Sequence, residues 1–124
     1  MAGSFSVKFN GTLTSSLHSD SFGSVNPVTI SQSGQGLHAE TVTVGTTIEN
    51  MPVGDVSGLG RLFLKNLDTG NFVSWGPNNA ADLIVFGRLD PTGELWMDLS
   101  PNLGLIKWKA DTAPCKVQMK LFEA

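Results

Sequence analysis

The 124-residue chain has no tyrosine, one cysteine and two histidines, and only 15% of its residues are charged. Each scarcity excludes something. A single thiol, Cys115, cannot form an internal disulfide, which fits folding in a reducing compartment or a domain that needs no staple. In the alternating run "CKVQMKLF" it reads as a small apolar core residue rather than a reactive thiol. Neither His18 nor His38 belongs to an HxH or HExxH spacing, and one Cys cannot complete a thiolate metal site. Each is expected to be structural or solvated, with no metal and no cofactor bound. Soluble domains average roughly 25% charged residues, so part of this surface must be Ser, Thr, Asn and Gly, or must be hidden against partners. The net charge of −3 gives no basic field to offset phosphates, so no nucleic-acid partner is expected. No apolar run approaches the ~20 residues of a membrane span. The start, "MAGSFSVKFN", lacks a basic region followed by an apolar one, so no signal peptide is expected.

What is present is alternation. "SFSVKF" (4–9) sets Phe5, Val7 and Phe9 against Ser4, Ser6 and Lys8, and the last run sets Cys115, Val117, Met119 and Leu121 against Lys116, Gln118 and Lys120. Period two is the strand signature. Further strands are expected at 28–32, over 37–49 with a break or bulge at Gly45, and at "RLFLKNL", "FVSWG", "DLIVFGRL", "ELWMDL" and "LIKWKA". No segment keeps a helical period. Roughly eight to ten short strands with turn signals every ~8–12 residues describe an all-β chain. A single β-sandwich spanning residues 1–124 is expected, the jelly roll among its candidate topologies. Residues 11–24, "GTLTSSLHSDSFGS", read as a long polar loop or extended arm.

The stretch "GRLFLKNLDTGNFVSWG" (60–76) predicts a hairpin, with Phe63 and Trp75 pointing away from the side buried by Leu62 and Leu64. Its "DTGN" resembles the Asp-Thr-Gly of aspartic proteases, but a turn wants the same residues. "DPTG" (90–93) is a second strong turn signal. Several middle strands are apolar on both faces: Leu83 and Val85 against Ile84 and Phe86, Leu95, Met97 and Leu99 against Trp96, Leu62 and Leu64 against Phe63. Two readings follow. Such strands are central and covered by the chain's own loops, or one face packs inside and the other meets a neighbour. Phe63, Ile84, Phe86 and Trp96 are therefore candidate protein-contact residues. Leu13, Leu17 and Phe22 are candidate anchors on the 11–24 arm, which would either grip a partner or fold back over Ile84 and Phe86. No catalytic residue is identified.

The run "GTTIENMPVGDVSGLGRLFLKNLDTGNFVSWG", then "GRLDPTGEL", then "KADTAPCKVQMKLFEA" resembles the small all-β virion structural proteins of tailed bacteriophages, over roughly residues 40–124. The resemblance implies a non-enzymatic, homo-oligomeric capsid decoration or cement protein. It would be made in the host cytoplasm, reside in the phage particle, and bind the major capsid protein or other virion proteins. The alternative is a tail or receptor-contacting virion protein that binds glycans through exposed Trp75, Trp96 or Trp108.

Overall fold

A computed structural model describes residues 3–8, 10–14, 19–23, 28–32, 36–79, 82–100 and 104–124. The described residues contain strands and no helix. In chain order the strands are β1 Gly3–Val7, β2 Asn10–Thr14, β3 Ser19–Gly23, β4 Val28–Gln32, β5 Leu37–Val44, β6 Glu49–Asn50, β7 Leu59–Asn66, β8 Val73–Asn79, β9 Asp82–Leu83, β10 Gly87–Leu89, β11 Glu94–Asp98, β12 Ile106–Ala110 and β13 Cys115–Glu123.

Two antiparallel sheets make the body, as expected of a β-sandwich. One runs β5–β13–β7–β11; the other runs β6–β12–β8–β10, with β9 extending the pairing of β8. Count β5, β6, β7, β8, β10, β11, β12 and β13 as strands one to eight. The sheets then read one–eight–three–six and two–seven–four–five. Apart from the step from β8 to β10, each connection in this body crosses from one sheet to the other.

The crossing overturns the hairpin expected at 60–76. β7 and β8 belong to different sheets and do not pair. Leu62 and Leu64 line one inner face and Val73 the other, and all three are buried in one core. The six-residue link from Leu67 to Phe72 is also longer than the two-residue loops that favour tight hairpins. The "DPTG" turn does form, with the Gly93 N–H donating to the Asp90 carbonyl at 2.8 Å. Pro91 occupies its second position, and Thr92, at φ 60°, takes the third position that normally favours Gly. Yet the strands it joins, β10 and β11, also lie in different sheets.

Pattern and burial agree best in β13. Cys115, Val117, Met119 and Leu121 are all fully buried, while Lys116 and Lys120 are exposed. Trp108 on β12 fills the centre of the core and is fully buried. Its indole N–H has no partner among the described residues, a cost of about 1–3 kcal/mol set against the burial of a large ring. The break expected at Gly45 is present: β5 ends at Val44 and β6 begins at Glu49.

Two further expectations change. Where a long loop or extended arm was expected over 11–24, the described residues 11–14 and 19–23 are strand: β2 and β3 pair antiparallel, with Leu13 opposite Asp20 and Gly11 opposite Phe22. Thr-rich and Ser-rich sequence satisfies a two-stranded ladder without supplying an apolar face, which is why period alone did not reveal it. Likewise 82–89 is not one strand. It is β9 and β10 separated by Ile84–Phe86.

Candidate functional site

The "DTGN" turn is fully explained by its own hydrogen bonds. The Asp68 carboxylate accepts the N–H of Gly70 at 2.9 Å and of Asn71 at 2.5 Å. These two donors, Asn71 first, hold its pKa below the ordinary value of 3.8. Buried Asn66 donates to the carbonyls of Asn71 at 2.9 Å and Leu89 at 3.2 Å, and accepts the Asp68 N–H at 2.9 Å. Thr112 Oγ1 closes the cluster on Asn71 Oδ1 at 2.7 Å. This network ties the link between β7 and β8 to the end of β10, and its acceptors are occupied by structural donors. Cys115 lies beneath it, buried, with its thiol pKa raised by desolvation and then by Asp68 and Asp111. A raised pKa makes a poor nucleophile.

His38 pairs with Glu40 on β5. Gly54 lies against its ring so closely that a Cβ there would come within 2.4 Å of Nδ1. Among the described residues no group of three His, Cys, Asp or Glu side chains could hold a metal ion. His18 lies outside the described residues.

The four central contact candidates divide between two surfaces. Phe63 and Trp96 are cross-strand partners on the outer face of the β7/β11 pair, with ring centroids 6.4 Å apart. Trp96 also meets Phe122 of β13 at 6.4 Å. Ion pairs border this aromatic stripe, Lys65 with Glu94 and Arg61 with Asp98. All three rings are half-buried by one another and by the stems of these charged neighbours.

Ile84 and Phe86 lie on the other sheet, and here the reason is local. The Ile84 carbonyl lies directly over Gly76 of β8: a Cβ at residue 76 would come within 1.8 Å of it. The chain therefore bulges away from β8 after β9 and rejoins it where the Phe86 N–H donates to the Trp75 carbonyl at 2.9 Å. A bulge of this kind ends regular pairing and re-aims side chains. Ile84, Val85 and Phe86 are 53%, 59% and 77% exposed. Single exposed apolar residues are ordinary, but three in a row on one projection form a patch.

Beside the patch the interior opens. A groove of about 270 Å³ runs between Trp75, Pro77 and Ile106 of one sheet and, opposite them, Met97 of β11 and Leu99 just beyond its end, with Phe86 also in the lining. Trp75 corrects the sequence expectation: it packs against the core rather than away from it, with its ring 5.8 Å from that of Phe86. Asp98 and Ser100 are the polar residues of the lining, and the Asp98 carboxylate is engaged by Arg61. A sugar would need more donors and acceptors than this; an apolar side chain would not.

Sequence reasoning singled out Ile84 and Phe86 but missed Val85, Met97 and Leu99 as parts of one surface. The signal was the four-residue apolar run 83–86 ended by Gly87, too continuous for a half-exposed strand. Leu13 and Phe22 lie on β2 and β3, and Leu17 is outside the described residues. No protein-family model matches the chain, and neither a curated protein nor a solved structure matches it.

Proposed function

We propose that this protein is a non-enzymatic structural component of a tailed-phage particle, a capsid decoration or cement protein that binds the assembled shell and stabilises it. The observation that carries this reading is the projecting apolar patch at Ile84–Phe86 beside an open apolar groove, a surface suited to contact with protein. The strand order adds support. Leaving β9 aside, the order one–eight–three–six and two–seven–four–five supports the jelly-roll reading of the sandwich, an architecture found in viral capsid proteins and in lectins. The sequence resemblance over residues 40–124 points to the same class. The apolar lining of the groove favours a protein contact over the glycan-binding alternative.

The mechanism is mass action. A protein that binds the assembled shell but not its free subunits stabilises the shell in proportion to occupancy. Many copies on a symmetric lattice add avidity without strong single contacts. The test is co-sedimentation of the purified protein with empty shells assembled from a tailed-phage major capsid protein, followed by heating of the shells. Saturable loading and a raised shell disruption temperature are expected. Absence of loading on shells, with recovery on tail structures or on glycan instead, would overturn the reading.

A further inference from the structure

The charges of this chain are not evenly spread. In β13 the buried Cys115, Val117, Met119 and Leu121 fix the phase, so Lys116, Gln118, Lys120 and Phe122 occupy the outward positions of their sheet. Across the ladder to β7, Lys65 stands opposite Gln118, Phe63 opposite Lys120 and Arg61 opposite Phe122. On β11, Glu94, Trp96 and Asp98 continue these rows. On β5, the residues opposite Lys116, Gln118 and Lys120 are the uncharged Thr43, Thr41 and Ala39. Arg61, Lys65, Lys116 and Lys120 are four of the chain's eight basic residues, and they share this face with two of its eleven acidic ones. The face therefore sums to +2, and the rest of the chain, against a total of −3, to −5. Net charge averages over this separation, whereas a ligand meets the local field.

The same face has an aromatic row. The rings of Phe63 and Trp96 lie 6.4 Å apart, and those of Trp96 and Phe122 equally so. Each ring is half-buried and keeps part of its surface in solvent. Lys120 stands next to Phe63 in one cross-strand row. Lys116 and Lys120 are exposed and form no ion pair among the described residues. They are four residues apart on one strand, roughly 13 Å. Lys65 is held to Glu94 at 3.5 Å between two exposed side chains, and such a pair is worth little and yields to a competing anion. Cations beside a row of rings on an open sheet match the two needs of a single-stranded nucleic acid: phosphates to neutralise and bases to stack. A protein partner fits less well, because Lys is depleted at the cores of protein interfaces.

We infer that the outer face of the β5–β13–β7–β11 sheet binds single-stranded nucleic acid without sequence preference. Lys116, Lys120 and Lys65 contact the phosphates, and Trp96 and Phe63 carry stacked bases. The inference goes beyond the proposed function and does not depend on it, since it uses the face opposite to the core and none of the residues of the Ile84–Phe86 patch.

The test is fluorescence anisotropy of a labelled oligothymidylate of about 16 nucleotides, the upper site size of one small β domain, titrated with the full chain at low salt. Binding in the micromolar range or weaker is expected, with quenching of tryptophan fluorescence. With two to three phosphates engaged, log K should fall against log salt with a slope of about −1.4 to −2.1. Changing both Lys116→Glu and Lys120→Glu should abolish binding with unchanged circular dichroism, because both side chains are exposed. Changing both Lys8→Glu and Lys109→Glu alters net charge by the same amount away from this face and should weaken binding far less. Trp96→Ala should weaken it roughly ten-fold, the scale of one stacked base; if that variant does not fold, the lysine pair alone decides. No binding at low salt, or equal loss in the two lysine pairs, would overturn the inference. Equal affinity for polyglutamate would also overturn it and give the face to an acidic protein surface.

Discussion

β13 and the segment 82–89 are both rich in apolar residues, yet they have opposite fates. In β13 the apolar residues alternate with Lys and Gln, the register holds from Cys115 to Phe122 against β5 and from Val117 to Phe122 against β7, and Cys115, Val117, Met119 and Leu121 are fully buried. In 82–89 four apolar residues run consecutively, the ladder breaks after Leu83, and the next three face solvent. Hydrophobic content therefore did not decide burial. Phase did: an alternating strand presents one apolar face to one core, whereas a continuous run leaves part of its surface without a core to enter.

The largest expected effect tests that contrast directly. Leu121→Ala removes a fully buried side chain and should cost about 2–5 kcal/mol in urea unfolding. Phe86→Ala, at 77% exposure, should change monomer stability by no more than about 0.5 kcal/mol. Comparable losses for the two would mean that Phe86 belongs to the protomer's own core, and the contrast would fail.

An intermediate effect is expected at Gly76. Its Cβ would collide with the Ile84 carbonyl at 1.8 Å, so Gly76→Ala must push the bulge off β8, at about 1–3 kcal/mol. The sharper readout is hydrogen exchange of the Phe86 amide, which donates to the Trp75 carbonyl and should lose protection. Retained protection in a variant of full stability would show that Gly76 does not set the bulge.

The smallest effect concerns the Asp68 turn, where polar groups rather than apolar phase hold the chain. The folded-state pKa of Asp68 lies below 3.8 because the N–H groups of Asn71 and Gly70 stabilise its carboxylate. Its contribution is thus complete above the unfolded pKa and is lost as pH falls through the folded one. Asp68→Ala should lower the melting temperature modestly at neutral pH, and the gap to wild type should close as the pH drops below about 4. A gap that is constant with pH would remove the charge from the explanation.

The two turn motifs show how far a local signal reaches. "DTGN" and "DPTG" were legible as turns because Asp, Gly and Pro meet local backbone needs, and both form. What they join was not legible. The first was expected to close a hairpin, yet both carry the chain across the core to the opposite sheet. A turn's own hydrogen bonds span four residues and say nothing about which distant strand will supply the ladder. The candidate site shares that division. Ile84 and Phe86 stood out by their run, but their union with Met97 and Leu99 depends on β10 and β11 ending neighbouring sheets.

By itself the sequence determined that this chain forms strands and no helix among its described residues, that β13 buries one face, that Cys115 is interior, and that Gly45 interrupts a strand. Those outcomes follow from side-chain alternation and backbone freedom, which act within a few residues. Only the tertiary structure decided the sheet order, the inward turn of Trp75, the pairing of β2 with β3, and the bulge that exposes Ile84–Phe86. Each of these depends on contacts between residues distant in sequence or on ladder pairing that one strand's pattern does not encode. A period-two pattern states that a face exists; which partner covers it is settled when the whole chain competes for the same core.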